Sequence, residues 1–271
     1  MSNTNNLTNS GSAQRASTSH TSIIVVSSES EQPVRAVITQ SNYLPWRGWF
    51  AMVRSVDTLI YLDEVQYTRR DWRNRNLIAG QNGPSWLSIP VKVSGKYHAK
   101  ISEIECADQT WWRSHQSALD SAYRTFTSYL QIRDELFERL RMAGELKFLS
   151  EINRFLNSWL FPLLHINTKC LDASDFPTNS DRSDRLVSIC MAAKVNTYIS
   201  GPAAKAYLDV EKFQTARVNV EWIQYEGLPD LPPIARAERE LSVIHLLATL
   251  GVDETIRLST LLPIPTGHES D

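Results

Sequence analysis

Cysteine is scarce in this chain: three in 271 residues, Cys106, Cys170 and Cys190, far apart and without a CxxC pair. That excludes a zinc-knuckle spacing and a thioredoxin-like motif. Three cysteines cannot all pair with one another, and a reducing compartment is expected. The six histidines form no HxxxH or HxH pair, so no metal-ligand spacing is present. Glycine is sparse too, at ten residues, and neither GxGxxG nor a P-loop occurs. No apolar run approaches the roughly 18 residues of a membrane span; the longest candidate, Phe155 to Ile166, is interrupted by Asn157 and Ser158. An uncharged start and the short Ile23–Val26 run do not make a signal peptide. A cytoplasmic protein without membrane insertion is expected. Net charge is −2, which gives no global attraction to nucleic acid.

Residues 1–34 are dominated by Ser, Thr, Asn and Gln. Such a segment cannot bury enough apolar area to offset the entropy of ordering and is expected to be a disordered tail. Residues 35–271 are expected to form one domain. Arg35–Gln40 is a β-branched run that predicts a strand. Pro45 suits the first turn of a helix over Trp46–Val56, where its missing N–H costs nothing. Thr58–Leu62 predicts a second strand, and together the three make a βαβ unit. Trp86–Val93 and Ala99–Cys106 predict a hairpin around Ser94-Gly95. Residues 109–166 carry helical spacing and predict a helical insertion, with Gly144 separating its later helices. Strands are then predicted at Thr168–Asp172, Thr197–Ser200 and Val218–Tyr225. A helix capped by Ser180-Asp181 and another over Leu241–Leu250 complete the layout. The fold class is α/β: a mostly parallel sheet flanked by helices, with a β-hairpin and a helical insertion.

In such sheets ligands bind beyond the carboxyl ends of the strands, and three polar segments fall there. The first, Gln40 to Trp46, opens a helix and offers Gln40, Asn42, Tyr43 and Trp46. The second runs from Asp63 to Asn76. It carries four arginines within seven residues, interleaved with aromatic and amide side chains: Gln66, Tyr67, Arg70, Trp72, Arg73, Asn74, Arg75 and Asn76. Arginine grips phosphate or carboxylate with a bidentate fork and stacks on aromatic faces, and asparagine reads amide or hydroxyl groups. The third segment, Ser200-Gly201-Pro202, puts small residues after a strand, where a ligand can approach the backbone. Asp63, Asp71 and His98 are the candidate acid–base groups. The basic run is short and the chain acidic overall, so a specific nucleic-acid interface is not expected. A small molecule is the expected partner. No resident cofactor is indicated; a nucleotide or other phosphorylated donor would be the substrate.

Gln40-Ser-Asn-Tyr-Leu-Pro-Trp46-Arg-Gly48 and Leu62 to Asn76 together resemble the N-terminal signature of the WbqC-like family. Asn82-Gly-Pro-Ser-Trp86-Leu, Ile101-Ser-Glu-Ile104, Asp184-Arg-Leu186 and Tyr198-Ile-Ser-Gly-Pro-Ala203 are similar to that family too. The resemblance covers roughly Ala36 to the end. The family is bacterial, and its genes tend to lie in O-antigen and other surface-polysaccharide clusters. It implies a biosynthetic enzyme acting on an activated or amino sugar or a related metabolite. Such an enzyme would transfer a group from a phosphorylated donor to a sugar or amine acceptor. The alternative is a non-catalytic partner of a carrier protein or pathway enzyme. The family brings no agreed catalytic set. This chain departs from it near the end: Arg239 stands where relatives often carry a histidine, and His245 where many carry an aspartate.

Overall fold

The computed structural model describes residues 33–80, 82–177, 181–237 and 239–263. The predicted tail therefore lies outside the described residues, except for Pro33 and Val34, and Val34 already begins the first strand. That strand, β1 (Val34–Thr39), is followed by α1 (Arg47–Arg54) and β2 (Thr58–Tyr61). Pro45 stands one residue before the Trp46 N-cap, not inside the helix. Its carbonyl accepts the N–H of Val243 at 2.8 Å and so serves a tertiary tie.

The predicted hairpin forms with a different partner. β3 (Arg75–Ile78) pairs antiparallel with β4 (Ser85–Ser88) across the Asn82-Gly83-Pro84 turn, of which Gln81 lies outside the described residues. Residues 99–106 contain a 3₁₀ turn, Ile101–Glu103, and form no strand; the backbones of the predicted hairpin arms meet only at the isolated antiparallel bridge Val91–Cys106 and the neighbouring Lys92 N–H to Glu105 carbonyl bond. The polar block ending in Arg75-Asn76 hid β3, because its residues carry no alternation that a sequence pattern can detect.

The helical insertion is α2 (Trp111–Tyr123), α3 (Thr127–Ala143) and α4 (Leu149–Leu163). Gly144 ends α3 where a Cβ would collide with the Trp112 ring. The chain continues as β5 (Lys169–Asp172), α5 (Arg182–Ala192), β6 (Val195–Ser200), α6 (Val210–Thr215), β7 (Asn219–Trp222), α7 (Val243–Leu250) and α8 (Val252–Leu258). Asp181 caps α5 by accepting the N–H of Asp184, while Ser180 lies outside the described residues. The short helices α6 and α8 have no counterpart in the sequence reading.

Five strands form one parallel sheet in the order β5-β2-β1-β6-β7. β1 buries both faces, as a central parallel strand must. Val37 packs with Phe50 and Val53 of α1 and with Leu156 and Leu160 of α4. Ala36 and Ile38 pack on the other side with Leu186 and Ile189 of α5 and Phe213 of α6. The chain leaves β1 toward α1 on one face and leaves β6 toward α6 on the other. The connections therefore diverge between these two adjacent strands, and a crevice opens at their carboxyl ends. Among the described residues no helix is long and apolar enough to cross a membrane. The cysteines are all free: Cys106 and Cys190 are buried and Cys170 is exposed on the edge strand β5.

Candidate functional site

A cleft of about 890 Å³ occupies that crevice. Thr39 and Gln40 from the end of β1, and Ser200 and Gly201 from the end of β6, form its floor. Asn42 and Trp46 line it from the α1 side, and Asp71, Trp72 and Arg73 from the arginine-rich loop.

Arg73 is the centre of the arrangement. Its side chain is only 15 % exposed, and its fork reaches two uncharged oxygens. Nη2 donates to Gln40 Oε1 at 2.8 Å and Nη1 donates to Asn42 Oδ1. The nearest carboxylate, Asp71, stands 3.6 Å away. Burial pulls the Arg73 pKa below its ordinary value, with Asp71 and then Asp63 opposing. The guanidinium is thus desolvated but not tightly neutralised. Asp71 is the only carboxylate lining the cleft among the described residues, and its Oδ1 accepts the Trp72 N–H at 2.7 Å.

The loop is fixed from several directions. Asn153 of α4 donates to the Arg73 carbonyl at 2.9 Å, and Tyr43 N–H donates to the Trp72 carbonyl at 3.0 Å. Tyr43 is itself buried, its hydroxyl 2.7 Å from His115 Nδ1. Nε2 of His115 lies 3.2 Å from the Ser88 carbonyl, which can only accept. Nε2 therefore carries the hydrogen and Nδ1 accepts from Tyr43. Asn76 donates to the carbonyls of Tyr43 and Leu44, at 3.2 and 2.8 Å. Asn74 donates to the Ile89 carbonyl at 2.9 Å and accepts from the Tyr67 hydroxyl at 2.9 Å.

Of the residues expected from sequence, Gln40, Asn42, Trp46, Gln66, Asp71, Trp72, Arg73, Ser200 and Gly201 share the cleft. Tyr43, Tyr67, Asn74 and Asn76 stand behind it as supports. Arg75 leaves it: its guanidinium lies 4.0 Å from the Trp86 ring centroid and donates to the Arg70 carbonyl. Arg70 is exposed and takes a left-handed φ of 58°. Asp63 is fully buried and does not line the cleft. It accepts the Ser41 N–H at 2.9 Å and pairs with Arg154 at 2.9 Å, and Arg154 also bonds Asp172 at the end of β5. This carboxylate, expected as an acid–base group, is spent on joining strand ends. His98 is exposed, in a separate depression with Lys96 and Tyr97. His245 is buried, 3.2 Å from the Tyr123 hydroxyl, and lines a second cavity of about 360 Å³ away from the cleft. Arg239 is exposed.

Sequence reasoning missed Arg182, Tyr207 and Tyr225, and took Arg185 only from the family resemblance. All four line the cleft. Arg182 and Arg185 sit three apart at the start of α5 and so share a helical face, which was the available signal. The Arg182 guanidinium lies 4.5 Å from the Tyr207 ring centroid. Tyr225 packs against Trp46 with centroids 5.0 Å apart, and burial raises its hydroxyl pKa to about 12. Gly48 makes room for that tryptophan, since any Cβ there would collide with the indole.

The cleft is therefore a polar crevice with three arginines, one carboxylate and aromatic walls. Over residues 40–257 the sequence matches the model of the WbqC-like protein family. The chain belongs to this family. It is 34 % identical over 220 residues to the uncharacterized protein Rv1507c of Mycobacterium tuberculosis (strain ATCC 25618 / H37Rv), covering 81 % of this chain and 95 % of that protein. No solved structure matches the chain. The Gln40–Gly48 and Asp63–Asn76 segments, which supply most of the first cleft wall, lie inside the family match.

Proposed function

We propose that this WbqC-like protein is a biosynthetic transferase of bacterial surface glycan, or of a related metabolite. It passes a group from a phosphorylated or otherwise activated donor to a sugar or amine acceptor. The observation that carries this is the Arg73 fork, buried in the crevice at the β1/β6 divergence and held on the neutral oxygens of Gln40 and Asn42. An anion entering there meets a desolvated charge whose direct hydrogen bonds go to neutral oxygens, with Asp71 3.6 Å away, where a charge-assisted hydrogen bond is strong. Arg182 and Arg185 face the same cleft and extend the positive lining. The volume suits a ligand of nucleotide-sugar size. In this reading Asp71 takes a proton from an acceptor hydroxyl or amine, and the Ser200 hydroxyl orients that acceptor; both line the cleft.

A thermal-shift panel of nucleotide sugars, nucleotides and acyl or aminoacyl phosphates tests the donor site. A ligand present at about a hundred times its Kd adds about 2.7 kcal/mol to stability. At least one phosphorylated compound is expected to raise the melting temperature in the wild type and not in Arg73→Ala. A panel with no phosphorylated hit removes the donor site. The alternative, a non-catalytic partner of a carrier protein or pathway enzyme, draws on an exposed aromatic pair that includes Trp72 of the cleft lining. Trp72 and Trp86, 44 % and 39 % exposed, pack with centroids 5.6 Å apart. Group transfer requires turnover in addition to binding, so a protein that binds donors but never converts them would favour that alternative.

A further inference from the structure

Two amides take the direct hydrogen bonds of the Arg73 fork while the nearest carboxylate, Asp71, stands off at 3.6 Å, and their orientation is dictated by chemistry. A guanidinium has five donors and no acceptor. The ends of Gln40 and Asn42 that meet Arg73 must therefore be their oxygens, whichever way the rest of each side chain could turn. The amide nitrogens, Gln40 Nε2 and Asn42 Nδ2, make no hydrogen bond to any described residue, and both side chains line the cleft. Each carries two N–H groups. With both oxygens turned to Arg73, the groups these two amides leave unpaired toward the cleft are their N–H donors.

On the reading of the cleft as an anion site, we propose that Gln40, Asn42 and Arg73 form a donor-rich cradle. It selects a ligand group made solely of acceptor oxygens, a phosphate or a carboxylate, and Gln40 and Asn42 serve in it as specificity residues. Their neutrality matters as much as their donors. A carboxylate at either position would satisfy the same guanidinium more strongly and would consume the charge that the ligand needs. The protein therefore keeps a less stable pairing for Arg73 so that an incoming anion can complete it. Asn157 of α4 steadies this side of the crevice, its Nδ2 reaching the Asn42 carbonyl at 3.5 Å.

The proposal predicts opposite signs for stability and binding, which a merely structural role would not produce. The experiment titrates the full-length chain with inorganic phosphate and, separately, with acetate, at constant ionic strength, by calorimetry and thermal shift. Wild type, Gln40→Glu, Asn42→Asp and Thr68→Asp are compared. Thr68→Asp adds a charge to the same cleft lining at a residue that is not among the hydrogen-bond partners of Arg73. The expected result is a melting temperature in Gln40→Glu and Asn42→Asp equal to or above wild type, with anion affinity at least tenfold weaker. Thr68→Asp should lose less than threefold. Stronger binding of phosphate than acetate assigns the cradle to phosphate, and the reverse order assigns it to carboxylate. If the two acidic variants bind as wild type does, or if Thr68→Asp loses as much as they do, the cradle is wrong while the anion site stands. If the wild type itself ignores both anions, the anion site and the cradle fall together.

Discussion

Asn153, near the start of α4, donates its side-chain N–H to the carbonyl of Arg73 at 2.9 Å, and to the Ser41 hydroxyl at 3.2 Å. One buried amide from the inserted helices thus holds both the turn after β1 and the loop that delivers the arginine. The insertion is a scaffold for the cleft and not an appendage. A site placed on loops needs such clamps to hold its geometry.

Arg73→Lys separates charge from fork. Lysine keeps the positive charge but cannot reach Gln40 and Asn42 together while also gripping an anion in two places. Affinity for the phosphorylated ligand identified by thermal shift should fall roughly ten- to a hundredfold, the equivalent of about 1.5–3 kcal/mol. The melting temperature should move by far less in relative terms. Isothermal calorimetry beside scanning calorimetry reads both; unfolding with unchanged affinity would make the arginine structural.

The two asparagines that flank Arg75 should act on stability. Asn76→Ala leaves the buried carbonyls of Tyr43 and Leu44 without their donor, at a cost of about 1–3 kcal/mol. Asn74→Ala removes the contacts to Ile89 and Tyr67 and should cost somewhat less, since Asn74 is only half-buried. Urea midpoints measured at a constant slope will show this, and per folded molecule the ligand affinity of Asn74→Ala should stay near wild type.

Asp63 and Asp71 should part company. Asp63→Asn removes a buried charge from Arg154, which keeps Asp172, and is expected to destabilise by about 1–3 kcal/mol. Asp71→Asn, at a side chain 28 % exposed, should leave the melting temperature within a few degrees and abolish turnover with the identified donor. Full turnover in Asp71→Asn would remove that carboxylate from the chemistry.

The buried histidines set a pH dependence above the carboxylate range. Burial pushes His115 down to about 4, against 6.5 when unfolded, and pushes His245 down as well. Between those values the unfolded chain binds a proton that the folded chain refuses, so stability falls as pH drops from about 6.5 toward 4 and rises with pH across that window. At about 1.4 kcal/mol per pH unit the His115 part amounts to about 3 kcal/mol at most. Comparing urea unfolding at pH 7.5 and 5.0, His115→Gln should lose much of the dependence. An equal slope in the variant would assign it elsewhere.

Deletion of residues 1–32 should leave the melting temperature of the remaining chain unchanged, because that stretch lacks apolar periodicity and turn chemistry. A drop of several degrees would show that it packs on the domain.

The alternation of elements was legible from residue order alone, since strand and helix differ in the period of their apolar residues. Val34–Thr39, the three inserted helices and the Asp181 cap could be read from local pattern. Residue order also marked the two segments that supply Gln40, Asn42 and Arg73, because four arginines within seven residues, interleaved with amides and aromatics, are chemistry suited to gripping an anion. Strand order was not legible. Nothing local in β1 says that β6, some 160 residues on, lies beside it, and only that neighbour relation creates the crevice. For the same reason Asp63 and Asp71 looked alike as carboxylates, yet one is spent on Arg154 and the other faces the cleft. Arg73 and Arg75 looked alike as well, and packing sends one to Gln40 and Asn42 and the other onto Trp86. A side chain's chemistry follows from its residue type, but whether that chemistry is free for a ligand is settled by which partners the tertiary fold brings within hydrogen-bond reach.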